Sequence, residues 1–219
     1  MTPDLIEAAR TRLYSGVISD VLDQLNHWEH AMAPHVRPLD EDLTLFGRAR
    51  TALYMAVWDV QPGINPYKHE IALVDDLKPD DVAVLGCPAG NRVAPWGDLL
   101  STASRARGAA GCVTDGLVRD VRPIRAMKFP VFAGGLGPLD SRGRGMVMRI
   151  DCRIQCGGVT VDNEDWIFGD VDGVVVIPAA IAEQVIRLAL EKVMAENVVR
   201  AELADGQLLA DVFERHGIL

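Results

Sequence analysis

Asp98, Arg119 and Asp120 fall within one stretch, Pro95–Arg125, reading P-W-G-D-L-L-S-T-A-S-R-A-R-G-A-A-G-C-V-T-D-G-L-V-R-D-V-R-P-I-R. It predicts turn, helix, short strand, turn, helix. Pro95, Gly97 and Asp98 open the first helix, where an acidic side chain is favoured. Gly111–Thr114 is a short apolar run that fits a buried strand, and Asp115-Gly116 is a turn signal. Arg119 and Asp120 then sit beside the next helix start, with Arg122 and Arg125 behind them. Free helix-start amides bind anions, arginine grips a carboxylate as a fork, and carboxylates bind hard cations. That combination suits a small carboxylate substrate held beside a divalent metal. The four lysines, Lys68, Lys78, Lys128 and Lys192, all lie outside the stretch, which speaks against Schiff-base chemistry.

Each of these residues has a plainer use. Asp98 could cap a helix, Asp120 could be an ordinary first-turn acid, and Arg119 could pair with Asp115 or Asp120. Trp96 reads as a packing residue rather than a substrate platform. Arg48, Arg122 and Arg142 are candidate cations for the far end of a substrate.

The elements that position this stretch follow from periodicity and breakers. Pro3–Leu13 is an amphipathic helix, broken at Ser15-Gly16, and Ser19–Leu25 is a second short helix. Asn26–Asp42 is irregular, and its histidines (His27, His30, His35) have no metal-ligand spacing. Phe46–Ala56 is a strand, Asp59–Pro66 a long turn, Tyr67–Asp75 a short helix and Val82–Gly86 a strand. After the central stretch, Phe129–Ala133, Val147–Ile154 and Gly158–Val161 read as strands, with an acidic turn at Asp162–Asp165. Asp170–Pro178 is a turn leading into a buried strand. A long helix then runs from about 178 to 203, and Leu208–Phe213 forms a last short one. Neither G-x-G-x-x-G nor G-x-x-x-x-G-K-[ST] is present. The order predicts a layered α/β fold in one domain spanning 1–219, with its core at about 15–213.

Composition limits the rest. The chain has 219 residues, 49% of them hydrophobic, enough for one sizeable core. A net charge of -9 without a Lys/Arg block argues against a nucleic-acid face. No apolar run approaches the ~20 residues of a membrane span. The acidic, amphipathic start lacks a signal-peptide core, so the expected location is the cytoplasm. Cys87, Cys112, Cys152 and Cys156 read as buried structural thiols, because Cys152-x3-Cys156 has no second ligand pair.

Trp96-Gly97-Asp98-Leu99-Leu100 and Asp115-Gly116-Leu117-Val118-Arg119-Asp120 resemble the signature of the RraA-like family. The likeness runs from about Ser15 to Phe213. It takes in P-G-I-N at Pro62–Asn65, C-G-G-V-T-V at Cys156–Val161 and G-D-V-D-G-V-V-V-I-P at Gly169–Pro178. The family includes class II 4-hydroxy-4-methyl-2-oxoglutarate and 4-carboxy-4-hydroxy-2-oxoadipate pyruvate aldolases, and regulators of ribonuclease activity A. The resemblance implies an α/β sandwich of the swivelling β/β/α type, assembled as homotrimers or homohexamers with sites at subunit interfaces. It implies Asp120 as direct ligand of Mg2+ or Mn2+, Asp98 holding a metal-bound water, and Arg119 contacting the keto acid. Amides of Gly97, Asp98, Leu99 and Leu100 would cradle the pyruvate carboxylate, and Glu196 is the nearest match to a glutamate from a neighbouring subunit. The family's usual P-G-D-N reads P-G-I-N here, so Ile64 replaces an acid. The activity implied is cleavage of 4-hydroxy-2-oxo acids through a metal-stabilised pyruvate enolate, together with oxaloacetate decarboxylation. The alternative is a non-catalytic regulator binding a protein partner such as a ribonuclease.

Overall fold

Alternation along the strands decides the architecture, because successive side chains point to opposite faces. Along Leu45–Ala56 (β2), Leu45 and Ala49 face one core while Phe46, Ala52 and Tyr54 face two others. Along Asp81–Gly86 (β3), Val82 and Val84 face inward and Ala83 and Leu85 outward. Apolar residues on both faces require cover on both faces, and the computed structural model of residues 1–59 and 62–218 supplies it.

The elements run in order. Helices α1 (Pro3–Arg12) and α2 (Ser15–Gln24) precede β1 (Arg37–Pro38) and β2. Helix α3 (Lys68–Asp76) leads to β3, then α4 (Asp98–Ala106), β4 (Gly111–Val118), α5 (Val121–Ala126) and β5 (Val131–Leu136). Strands β6 (Gly145–Ile150), β7 (Ile154–Cys156), β8 (Val159–Val161), β9 (Trp166–Asp170) and β10 (Gly173–Ile177) follow. Helices α6 (Ala182–Ala204) and α7 (Leu209–His216) close the chain. The main sheet has the order β1-β5-β4-β3-β2-β9-β10, with β6 also paired to β2. β2 through β5 are parallel neighbours joined by helices, and β9 and β10 form an antiparallel hairpin.

One segment nearly closes the sheet. Ala31 bridges Val175 on β10, and a few residues later Arg37 and Pro38 pair with Ala133 and Phe132 on β5. The enclosed interior holds Phe132, Ile167, Val84 and Val113, plugged at one end by the β7–β8 hairpin. Helices α1, α2 and α6 cover the outside of β9, β10 and β2, and α3, α4 and α5 cover β3, β4 and β5. The mixed α/β layering expected from the sequence is present.

Four local expectations change. Ser15-Gly16 begins α2 instead of breaking a helix, because Asp170 accepts from both the Ser15 amide and its hydroxyl at 2.7 Å. Asp115-Gly116 does not end its strand: β4 continues to Val118 through a register shift between Thr114 and Leu117. The Asp115 carboxylate accepts from the amides of Cys87 and Gly157, so the chain stays pinned there and does not turn. Val147–Ile154 is interrupted at Asp151, which has φ +52° and pairs with Arg50. The long helix begins at Ala182, after a 3-10 turn at Ala179–Ile181. Part of the Asp59–Pro66 turn lies outside the described residues. All four cysteines are free, and Cys112 and Cys156 are buried, which raises their pKa values.

Phe132 is fully buried and its ring fills the space over Gly169, where an added Cβ would lie 2.8 Å from Cζ. Phe132→Ala is therefore expected to cost about 3–5 kcal/mol of stability, measured by urea unfolding. A loss under about 1 kcal/mol would show that the enclosed interior is not a packed core.

Candidate functional site

The strand β4 ends at Val118, and Trp96, arriving from the β3–α4 loop, forms a parallel bridge with it. The Arg119 amide donates to the Trp96 carbonyl at 3.1 Å. This contact brings the start of α4 against the end of β4. Trp96 is buried, and its Nε1 donates to Ser101 Oγ at 2.8 Å, which confirms its packing role and fixes the first turn of α4.

Gly97 permits the contact. A Cβ there would lie 2.7 Å from Asp120 Oδ2 and 3.3 Å from Arg119 Cγ and Nε. Its φ of -155° is ordinary extended backbone, so the requirement is space rather than conformation. Asp120 has φ +59°, a left-handed conformation that Asp tolerates better than most residues. It stands at the N-cap of α5, yet its side chain makes no capping hydrogen bond there. It turns across to α4, where Oδ2 accepts from the Asp98 amide at 3.4 Å. Asp120 thus leaves its own helix uncapped and serves the first turn of α4 instead.

Asp98, Leu99 and Leu100 form the first turn of α4, and the helix's first internal bond runs from the Ser101 amide to the Gly97 carbonyl. The Leu99 and Leu100 amides precede it, with the positive end of the helix dipole behind them. The Asp98 carboxylate makes no hydrogen bond among the described residues. Arg119 does not pair with Asp115. Its Nε lies 3.5 Å from Asp120 Oδ2 and its Nη1 lies 3.2 Å from Asp140 Oδ1.

These groups share a cleft of about 430 Å³. The sequence reading missed its opposite wall: Tyr67, Glu70, Asp140 and Ser141. The Tyr67 hydroxyl donates to Asp140 Oδ2, and the Arg142 amide donates to the same oxygen at 3.1 Å. Burial opposes ionisation of Asp140, but Tyr67, the Arg142 amide and Arg119 outweigh it and hold its pKa below the usual range. Burial and the Asp140 bond push the Tyr67 hydroxyl up to about 12. Ser141 Oγ donates to Glu70 Oε1 at 3.4 Å and accepts from Tyr54 at 3.1 Å. Glu70 is 4% exposed, and burial, with Asp140 adding to it, pushes its carboxyl up to about 7.

Other expected residues lie elsewhere. Arg48 pairs with Asp81, and Arg50 with Asp76 and Asp151, so both tie β2 to its neighbours. Arg122 and Arg142 are exposed and do not line the cleft. Glu196 lies on α6, bonded by the Tyr14 hydroxyl and near Lys192 and Arg200. His30 is buried and shares a hydrogen bond with Ser19. Among the described residues, no three His, Cys, Asp or Glu side chains converge as a metal cage. Asp98 and Asp120 nevertheless offer hard oxygen donors, and Mg2+ commonly binds through one or two carboxylates plus substrate and water. The donor set fits such an ion.

A model of the RraA-like family, described as Aldolase/RraA, matches residues 15–176. The chain belongs to the RraA-like family. A Halalkalibacterium halodurans relative named "Putative 4-hydroxy-4-methyl-2-oxoglutarate aldolase" is 31% identical over 207 residues, 94% of this chain and 91% of its own. A Halorhodospira halophila relative of the same name is 37% identical over 100 residues, 45% of this chain and 60% of its own. The RraAS2 structure from Streptomyces coelicolor, described as an unusual member of the RNase ES inhibitor RraA family, superposes with a TM-score of 0.79. It is 24% identical and covers 91% of this chain and 97% of its own, a likeness of fold. The RraA-like match includes β4, α4 and the Arg119–Asp120 junction, so the cleft lies inside the shared region.

Glu70 gives this RraA-like chain a pH signature. Its folded pKa of about 7 lies above the ordinary 4.5, so the folded state holds its proton more tightly than the unfolded chain. The stabilisation is complete below the unfolded value and is lost as pH rises through the folded value, amounting to roughly 3 kcal/mol. Urea unfolding at about pH 5 and pH 8 should show this fall in the parent and not in Glu70→Gln. Equal pH slopes in the two proteins would refute the raised pKa.

Proposed function

We propose that this protein is a divalent-metal-dependent lyase that cleaves 4-hydroxy-2-oxo acids to pyruvate and a carbonyl product. One observation carries the reading: Gly97 lets Asp120 and Arg119 approach the open first turn of α4, joining a carboxylate, a guanidinium and free amides in one cleft. The names of the two aldolase relatives support the same class.

In the reaction the C3–C4 bond breaks, the 4-hydroxyl loses its proton and C4 becomes a carbonyl. The electron pair passes to C3, C2 and the 2-oxo oxygen as the pyruvate enolate, which is then protonated at C3. The Leu99 and Leu100 amides receive the substrate carboxylate. Arg119 places fixed positive charge where the enolate oxygen develops. Asp140 and Tyr67 hold the guanidinium in position. Asp120 would hold Mg2+ or Mn2+ directly and Asp98 through water; when bound, the ion supplies Lewis acidity to the 2-oxo group. Loss of CO2 from oxaloacetate yields the same enolate, so decarboxylation belongs to the same site.

We further propose a homotrimer or homohexamer working in the cytoplasm, with the small 2-oxo acid as partner and neither nucleic acid nor membrane. In that assembly Glu196, which accepts from the Tyr14 hydroxyl within its own chain, would be the residue offered to a neighbouring subunit's cleft.

Chelation with EDTA should abolish pyruvate release, and Mg2+ or Mn2+ should restore it. Full activity in metal-stripped protein overturns metal dependence. Asp120→Ala should fall to near background while remaining folded, since a helix-start acid contributes only about 0.3–1 kcal/mol. Arg119→Lys keeps the charge and loses the fork, and should lower kcat/KM by at least about tenfold, or about 1.4 kcal/mol. Parent-like rates in both variants overturn the site. Failure of the parent on every 4-hydroxy-2-oxo acid and on oxaloacetate would favour a regulator that binds a protein partner.

A further inference from the structure

We propose that Asp140 is a positioning residue that holds the Arg119 guanidinium off Asp120, and so keeps the Asp120 carboxylate open to a divalent cation. The inference rests on the proposed metal-dependent reading and adds what this chain does to keep the metal ligand available. Arg119 and Asp120 are adjacent in sequence and opposite in charge. A guanidinium laid along a carboxylate forms a fork of two hydrogen bonds, and the fork takes up the oxygens that a hard cation needs. Among the described residues that line the cleft, Arg119 is the one cation. The acid it pairs with most closely is therefore the one withheld from a metal.

The geometry favours the distant acid over the adjacent one. Arg119 Nη1 lies 3.2 Å from Asp140 Oδ1, whereas Nε lies 3.5 Å from Asp120 Oδ2, beyond the roughly 2.7–3.2 Å of an ordinary N–H···O bond. Asp140 is well fixed for this task. Its Oδ2 accepts from the Tyr67 hydroxyl and from the Arg142 amide, which leaves Oδ1 towards Arg119. The loop behind it is fixed as well. Ser141 is buried, its hydroxyl accepts from Tyr54 at 3.1 Å, and its carbonyl accepts from the Arg144 and Gly145 amides at 2.8 Å. Arg119 and Asp120 are each more than a third exposed, so water screens their mutual attraction. A fixed acid on the other side can then decide which way the long arginine side chain turns. Asp120 keeps only the Asp98 amide, at 3.4 Å, as a hydrogen-bond donor to its Oδ2.

Mn2+ alone, without substrate, is the probe, and its binding is read from the electron paramagnetic resonance of the free ion. Asp140→Asn keeps the shape of the anchor and removes its charge, so Arg119 should turn to Asp120 and the Kd for Mn2+ should rise at least about threefold. A smaller rise in the folded variant overturns the proposal. Loss of a nearby negative charge would weaken cation binding by itself, so the same substitution is made in Arg119→Gln. Without the guanidinium, Asp140→Asn should raise Kd by less than about 1.5-fold. A larger rise there overturns the proposal, because the acid would then act through its field and not through Arg119. If Asp140→Asn fails to fold, Arg119→Gln alone decides. It should tighten Mn2+ binding by less than about twofold, since the guanidinium is already diverted, and a larger gain overturns the proposal. Pyruvate release by the parent is measured alongside. Mn2+-dependent cleavage without the expected coupling overturns this inference alone. A parent that neither binds Mn2+ nor releases pyruvate with it overturns the metal-dependent reading as well.

Discussion

The absence of a side chain at position 97 is the constraint on which the cleft depends. The Trp96–Val118 bridge brings two backbones side by side, and the space between them is filled by the Asp120 carboxylate. Even a methyl group at position 97 would displace that carboxylate or part the two segments. The sheet sets the approach. β3 and β4 are parallel neighbours, so the loop leaving β3 and the junction leaving β4 emerge at the same end. Ligand sites in parallel sheets gather beyond the carboxyl ends of strands for this reason.

The second wall has a different origin. Helix α3 packs on the outer face of the sheet through Leu73 and Val74, and its N-terminal end meets the loop after β5 through the Tyr67–Asp140 and Ser141–Glu70 hydrogen bonds. Glu70 is carried inward on the same face. Its burial costs solvation of the charged form, and one serine hydroxyl at 3.4 Å does little to repay it. Asp140 is better supplied, with a tyrosine hydroxyl, an amide and a guanidinium. Two acids a single residue's bond apart therefore differ in state: one stays ionised and holds Arg119, the other retains its proton towards neutrality.

Most of the elements were legible because the apolar pattern and its breakers are strong. β3, β10 and α6 follow directly from V-A-V-L, V-V-V-I and a long amphipathic run. Two of the errors share a cause: a distant polar partner outweighed a local signal. Asp170 converts Ser15 from a break into a helix start, and the amides held by Asp115 carry β4 past an Asp-Gly pair. Strand β9, W-I-F-G-D, went unread since its glycine and flanking acids resemble a turn until Phe132 packs over Gly169. In the cleft, Asp98, Arg119 and Asp120 were visible as a motif. Glu70 also left a signal: it precedes Leu73 and Val74 by three and four positions, which puts an acid on an apolar helix face. Asp140 left none, because a loop acid acquires meaning only from what the fold places beside it.

The charges of the cleft also bear on its cargo. Asp98, Asp120 and Asp140 set three negative charges against Arg119, a balance of minus two before any substrate arrives and without counting Glu70. A 2-oxo acid would add a third. Helix-start amides contribute only partial charge, on the order of half a unit. On the proposed reading, a divalent cation held by Asp120 would bring the empty cleft to neutrality and would leave the substrate's single charge to the amides and Arg119.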